Sequence, residues 1–202
     1  MPDIEIIKSY YIPKIEKYNE DYKILGWESR EAQLKRFEIL TSHVDLNGKK
    51  LLDVGCGLGN LLEFLESNNI NVDYTGVDIL EEMITLAKQK NPGGKFYFMD
   101  IFSESFFNEG SFDIVYSSGI FNLKISDNMG FLKKALKTFF TLSKDMVVFN
   151  LLYYKSRDKE DMYYYYSEGD IDKGLAEISI CPQEIKYVRN YLSNDLTVIC
   201  KA

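Results

Sequence analysis

Short apolar runs alternate with segments of helical period along most of this chain. The runs at 51–54, 73–78, 95–99, 112–117 and 146–151 have the length of strands. The last of them, Met146-Val147-Val148-Phe149-Asn150-Leu151, shows no polar alternation, which is how a strand covered on both faces reads. Between the runs, 60–67, 80–90 and 128–142 repeat apolar residues at helical spacing, with Phe131, Leu132, Ala135, Leu136 and Phe139 on the apolar side of the last. Asn91-Pro92-Gly93-Gly94 is a turn. This alternation predicts an α/β fold built on a doubly wound, mostly parallel sheet with right-handed crossovers.

The two ends of the chain have other rhythms. Ile4, Ile7, Tyr11 and Ile15 recur at roughly helical spacing, and Pro13 is expected to kink or split that element. Ser29 is a plausible N-cap for a helix over 30–42, with Leu34, Phe37, Leu40 and Val44 on one face. A final helix is expected over 171–178. After it, 185–191 and 196–201 read as strands joined by the hairpin turn Leu192-Ser193-Asn194-Asp195, so the last strand should run antiparallel.

Candidate chemistry begins where the first run meets Gly55-Cys56-Gly57-Leu58-Gly59. Glycine tolerates positive φ and lets backbone approach a ligand closely. Asp53 stands just before this loop, and open α/β sheets bind ligands at the carboxyl ends of their strands. Dinucleotide folds use G-x-G-x-x-G around a pyrophosphate, whereas the spacing here is G-x-G-x-G. A carboxylate would repel a pyrophosphate and attract a cationic sulfonium. Asp78 ends the second run, where it can accept from ribose hydroxyls or cap the next helix. Asp100 follows the third run as a ligand acceptor or a solvated loop residue, and Ser117, Ser118 and Gly119 close the fourth. Asp113, near the start of that fourth run, reads as structural.

The stretch from Leu51 to Gly59 resembles motif I of the class I S-adenosylmethionine (SAM) dependent methyltransferases, and Phe112-Asp113-Ile114-Val115 resembles their fourth strand. The resemblance implies a Rossmann-like, seven-stranded sheet of order 3-2-1-4-5-7-6 with an antiparallel last strand. It implies SAM as cofactor and S-adenosylhomocysteine (SAH) as product. Cofactor contacts would come from Asp53, Gly55, Cys56, Gly57 and Gly59 in the loop. Asp78 would take the ribose and Ile79 one face of the adenine. Asp100 and Ile101 would read the base, and Ser117, Ser118 and Gly119 would lie beside the methionyl group. It also implies an N-terminal helical lid of the small-molecule type, with Trp27, Arg30 and Arg36 as candidates; core packing for Trp27 and surface positions for the arginines are the other possibility.

One methyltransferase domain over 1–202 is therefore expected, with a lid at 1–47, a SAM-binding core at 48–151, and a substrate loop and hairpin at 152–202. Trp27, Tyr116, Asn122 and Tyr153 are the candidate substrate contacts, and no residue stands out as a catalytic base. Gly119-Ile120-Phe121-Asn122 does not match the D/N-P-P-Y/F motif of amino-methyltransferases acting on DNA bases or glutamine amides. The tyrosine-rich stretch 153–166 either lines a pocket for a flat or cationic substrate or packs on the fold.

The 202 residues carry a net charge of -7 without a Lys/Arg-rich run, which argues against nucleic acid as partner. The uncharged stretch 146–154 is too short to cross a bilayer, so no membrane is expected. The segment 1–11 carries Glu5 and lacks the apolar core of a signal peptide. Cys56, Cys181 and Cys200 form an odd set without C-x-x-C spacing, as reduced thiols of a cytoplasmic protein do. His43 reads as a helix-end residue, and no metal constellation is visible. The expected function is SAM-dependent methyl transfer to a small-molecule acceptor. A protein or RNA methyltransferase and a non-catalytic SAM-binding protein are the alternatives. Nothing in the sequence indicates oligomeric state.

Overall fold

The first glycine-flanked run lies in the middle of a sheet. In the computed structural model, which describes residues 4–103 and 106–202, β1 (Lys50–Val54) pairs in parallel with β2 (Asp73–Asp78) on one side and β4 (Phe112–Ser117) on the other. β3 (Lys95–Phe98) lies outside β2, and β5 (Ser143–Leu152) lies beside β4. β7 (Asp195–Lys201) inserts antiparallel between β5 and β6 (Glu184–Val188). Among the described residues the order is β3-β2-β1-β4-β5-β7-β6, as the resemblance implies. The first three residues of the expected lid lie outside the described residues.

Side chains alternate across the sheet with period two and feed two cores. Leu52, Val115, Val147 and Val198 point to the face covered by α6 (Asn128–Leu142) and α7 (Glu168–Glu177), where Phe131, Phe139 and Ile171 are buried. Leu51, Ile114, Val148 and Ile199 point to the opposite face, against α3 (Arg30–His43), α4 (Asn60–Ser67) and α5 (Glu81–Lys90). A third cluster joins Leu58, Leu80 and Met83, at the sheet's carboxyl edge, to α1 (Ile4–Lys17) and α2 (Asp21–Ile24).

Some boundaries differ from expectation. Pro13 lies inside α1 without splitting it, in a helix that has no fully buried residue. A carbonyl that loses its partner to proline there remains within reach of water. β6 stops at Val188 rather than 191, because Asn190 turns to φ 65°. β5 begins three residues earlier than expected. α7 starts at Glu168, where Ser167 and Asp170 form a reciprocal capping box. His43 does close α3, with Nδ1 3.0 Å from the Ile39 carbonyl, and Asp113 is structural, accepting from the Lys50 amide at 2.8 Å. Among the described residues no helix is long and apolar enough to cross a membrane.

α3 is pinned to the sheet by charge as well as packing. The Arg36 guanidinium pairs with Asp195 at the start of β7, with the two side chains 5% and 0% exposed, and donates to the Ala32 carbonyl at 2.6 Å. Removing one member of a buried pair strands the other charge. Asp195→Ala is expected to lower stability by about 3–5 kcal/mol, read as a fall in the urea midpoint. Arg36→Met in the same chain should recover much of that loss.

Candidate functional site

The glycine loop crosses the carboxyl edge of the sheet and is tied to the end of β2. The amides of Gly55 and Cys56 both donate to the Val77 carbonyl, at 2.8 and 3.0 Å, and the Gly57 amide donates to Asp78 Oδ2 at 2.9 Å. These bonds require left-handed backbone, with φ of 75° at Gly55 and 54° at Gly57. A side chain at Gly57 would also strike Leu25 of the N-terminal segment, whose Cδ2 lies 2.7 Å from where a Cβ would stand. The Leu80 amide fixes the other oxygen of Asp78 at 2.9 Å. The N-cap position of α5 is taken by Leu80, so Asp78 is a loop anchor rather than a helix cap.

Behind the loop, Asp53 is 4% exposed and accepts from the Tyr74 hydroxyl at 2.7 Å. Burial pushes its carboxyl up to about 7; the Tyr74 bond opposes that rise and the neighbouring Asp78 charge adds to it. Burial raises Asp78 as well, against the pull of its backbone donors. The Cys56 thiol is raised by burial and then by both carboxylates, so a nucleophilic thiolate is disfavoured here. Asp100 turns its oxygens to the Phe102 amide at 3.0 Å and the Ser103 hydroxyl at 2.6 Å.

A cavity runs over this edge. Of the expected cofactor residues, Asp53, Gly55, Cys56, Gly57, Asp78, Ile79, Asp100, Ile101, Ser118 and Gly119 line it, as do Trp27 and Tyr116 of the expected substrate residues. Three expected residues are placed elsewhere. Gly59 is the N-cap of α4, and its missing Cβ faces the side chains of Phe96 and Asn91. Ser117 is fully buried and donates to the Val54 carbonyl at 2.8 Å, tying β4 to β1. Tyr153 is 8% exposed and donates to Glu168 at 2.9 Å, which holds α7 rather than a ligand wall. Asn122 lines a second, adjoining cavity.

The N-terminal segment covers the first cavity with residues that the sequence did not mark as site residues. Ile7 and Tyr11 of α1, Leu25 and Gln33 all reach its wall. Gln33 donates to Asn60 Oδ1 at 3.2 Å, Asn60 donates to Asp21 Oδ2 at 2.5 Å, and Asp21 pairs with Lys90. The one signal available was that Gln33 and Arg36 share the apolar stripe of α3 with Phe37 and Leu40. Polar residues on a buried stripe need partners. Arg36 has its partner in Asp195 and stacks on Trp27, 4.1 Å from its ring; Arg30 is exposed and off the cavity wall.

Residues 51–142 match the family model of a methyltransferase domain. That stretch, under half of the chain, is similar to a methyltransferase domain. One relative of this chain is the phthiotriol/phenolphthiotriol dimycocerosates methyltransferase of Mycobacterium tuberculosis, 33% identical over 90 residues, which are 44% of this chain and 33% of that one. A ubiquinone biosynthesis O-methyltransferase of Pseudomonas aeruginosa is 33% identical over 101 residues, covering 44% of this chain and 43% of that one. The chain thus matches about a third of the length of the first of these relatives. Among solved structures, magnesium protoporphyrin IX methyltransferase of Synechocystis PCC 6803 with bound SAH has a TM-score of 0.70 at 15% identity, over 98% of this chain and 99% of that one. The Burkholderia thailandensis 1,6-didemethyltoxoflavin-N1-methyltransferase, bound to 1,6-didemethyltoxoflavin and SAH, has a TM-score of 0.66 at 16% identity, over 98% and 88% of the two chains. Among the described residues, no group of three or more His, Cys, Asp or Glu side chains is placed to hold a metal ion.

Trp27 lies over Gly119 at the wall of the first cavity, where φ is 93° and a Cβ would stand 2.9 Å from the indole. Gly119→Val should push the indole away. Because Trp27 is the chain's single tryptophan, a red-shifted emission with unchanged far-UV circular dichroism is the expected outcome.

Proposed function

We propose that this protein transfers the methyl group of SAM to a small-molecule acceptor. The observation that carries the reading is the convergence of two carboxylates, Asp53 and Asp78, on one cavity under a positive-φ glycine loop. The residues present fit that cofactor. Asp78 has lone pairs beyond its two backbone donors and suits a ribose. Ile79, Ile101 and Phe102 supply apolar surface for an adenine beside the Asp100 carboxylate. Asp53 supplies negative charge for the cationic aminoacyl end. Ser118 lines the same cavity beside Tyr116 and offers a hydroxyl to a ligand there.

Bound there, the cofactor supplies an electrophilic methyl on a sulfonium. The chain's own part is alignment and the exclusion of water. Tyr11, Leu25 and Trp27 close the cavity from the N-terminal side, which supports residues 1–47 as a lid over a core at 48–151, with 152–202 contributing the acceptor side. No wall residue presents a histidine base, since His43 sits at the far end of α3 with its ring on the Ile39 carbonyl. An acceptor that is nucleophilic without strong activation suits such a wall.

Parallel calorimetric titrations with SAM, SAH and NAD test the proposal, followed by mass spectrometry of candidate acceptors incubated with SAM. Adenosyl binding without NAD binding, and an added methyl group, are expected; NAD binding alone would overturn it, and SAM binding with no product across broad acceptor sets would leave a binding protein. Asp78→Ala should weaken SAM by about 1.5–3 kcal/mol, and unchanged affinity in a folded variant would remove Asp78 from the site. The pH dependence has a definite sign. In the free protein Asp53 holds its proton up to about 7, and a cationic ligand favours the ionised carboxylate. SAM should therefore bind with proton release, and its affinity should fall as pH drops below about 7. SAH lacks the sulfonium charge, so its affinity should change less over the same range.

A further inference from the structure

A second cavity opens beside the first and shares Tyr11, Leu25, Trp27 and Leu123 with it. It is the acceptor's place only if the first cavity holds the cofactor, so its assignment rests on the proposed methyl transfer. Its far wall is the stretch 153–166, fastened to the loop after β4 by backbone bonds from Tyr164 to Asn122 at 2.9 Å and from Lys124 to Met162 at 2.9 Å.

Among the residues that line this cavity, acids outnumber bases. Glu28, Asp158 and Glu160 line it, and the single cationic lining residue, Arg36, is already paired with buried Asp195. The Glu28 charge lies close enough to raise the Asp195 carboxyl, and the Glu160 charge bears on both Tyr10 and Tyr163. Tyr10 and Tyr163 face each other with hydroxyls 2.7 Å apart, and the Tyr165 ring lies 5.2 Å from the Lys159 ammonium. Lys14 sits 3.4 Å from the Tyr10 ring, so the tyrosines of this wall already attract ammonium groups of the chain itself.

Two buried polar atoms on residues of this lining are without partners among the described residues. Asn122 Oδ1 is an acceptor waiting for a donor, and Nε of Arg36, on a side chain only 5% exposed, is a donor waiting for an acceptor. Buried polar atoms without partners carry a penalty that a ligand can relieve.

We infer that the second cavity takes a small organic amine that also bears an oxygen acceptor as the methyl-acceptor class: it binds as its ammonium, gives one proton to solvent or a wall carboxylate, and its freed nitrogen lone pair then takes the methyl as the carbon–sulfur bond breaks and neutral SAH leaves. The carboxylates and tyrosine faces receive the cation, the Asn122 oxygen takes an N–H, and Arg36 Nε meets the ligand's oxygen.

The test uses the full-length protein saturated with SAH and matched amine and carboxylate pairs: tyramine against 4-hydroxyphenylacetate, and dopamine against 3,4-dihydroxyphenylacetate. Binding is read by calorimetry and by emission of Trp27, which borders both cavities. At least one amine should saturate and bind about tenfold or more tightly than its matched acid. Glu28→Gln, Asp158→Asn and Glu160→Gln combined should remove most of that preference while leaving SAH affinity unchanged. Acids binding as tightly as amines, no amine binding to the SAH-loaded protein, or an undiminished preference in the combined variant would each overturn the inference. Failure of SAH itself to bind would instead overturn the proposed function beneath it.

Discussion

The end of β2 holds the glycine loop, and the geometry of the whole carboxyl edge depends on that tie. Three successive amides, from Gly55, Cys56 and Gly57, are committed to the Val77 carbonyl and the Asp78 carboxylate. They fix the loop's path over the carboxyl edge of the sheet. The parallel register completes the arrangement. Val54 stands opposite both Val77 and Ser117, which brings Asp53, Asp78 and Ser118 to one edge although they are far apart in the chain. Were any of these strands antiparallel, its polar end would lie at the opposite edge of the sheet.

Two buried carboxylates on one cavity are costly to ionise together, and Asp53 reflects that in a carboxyl raised to about 7. Between the ordinary range near 4 and about 7, the native chain binds more protons than the unfolded chain. The stability contributed by Asp53 in the free protein therefore falls as pH rises through that window. A strained electrostatic arrangement of this sort is stabilised by a cation, and function is where such strain is tolerated.

Much of this was legible in the sequence, and the reason is locality. The spans of α4, β2, β4 and α6 follow from periodicity and turn chemistry within single segments, and the glycine loop declares itself by spacing. Residues whose roles depend on a partner far along the chain were not legible. Arg36 and Asp195 are separated by most of the sequence, and neither residue's neighbours hint at the other. Ser117 and Ser118 are adjacent and chemically identical, yet strand pleating turns Ser117 onto the Val54 carbonyl and leaves Ser118 on the cavity. Tyr153 and Tyr166 are buried while Tyr163 and Tyr165 line the second cavity, so one tyrosine-rich stretch serves packing and pocket at once. Composition alone could not divide those roles.

The N-terminal segment is attached to the sheet unevenly. α3 is anchored by Phe37 and Leu40 in the core and by the Arg36–Asp195 pair. α1 has no fully buried residue and rests on the edge through half-buried Ile7, Tyr11 and Ile15, with the Tyr10–Tyr163 contact at its side. Segments with few buried contacts open at lower free energy than the core. α1 therefore has fewer buried contacts to lose than α3, whose Arg36 is paired with Asp195. Trp27, stacked on buried Arg36, borders both cavities and joins the core at 48–151 to the anchored part of this segment.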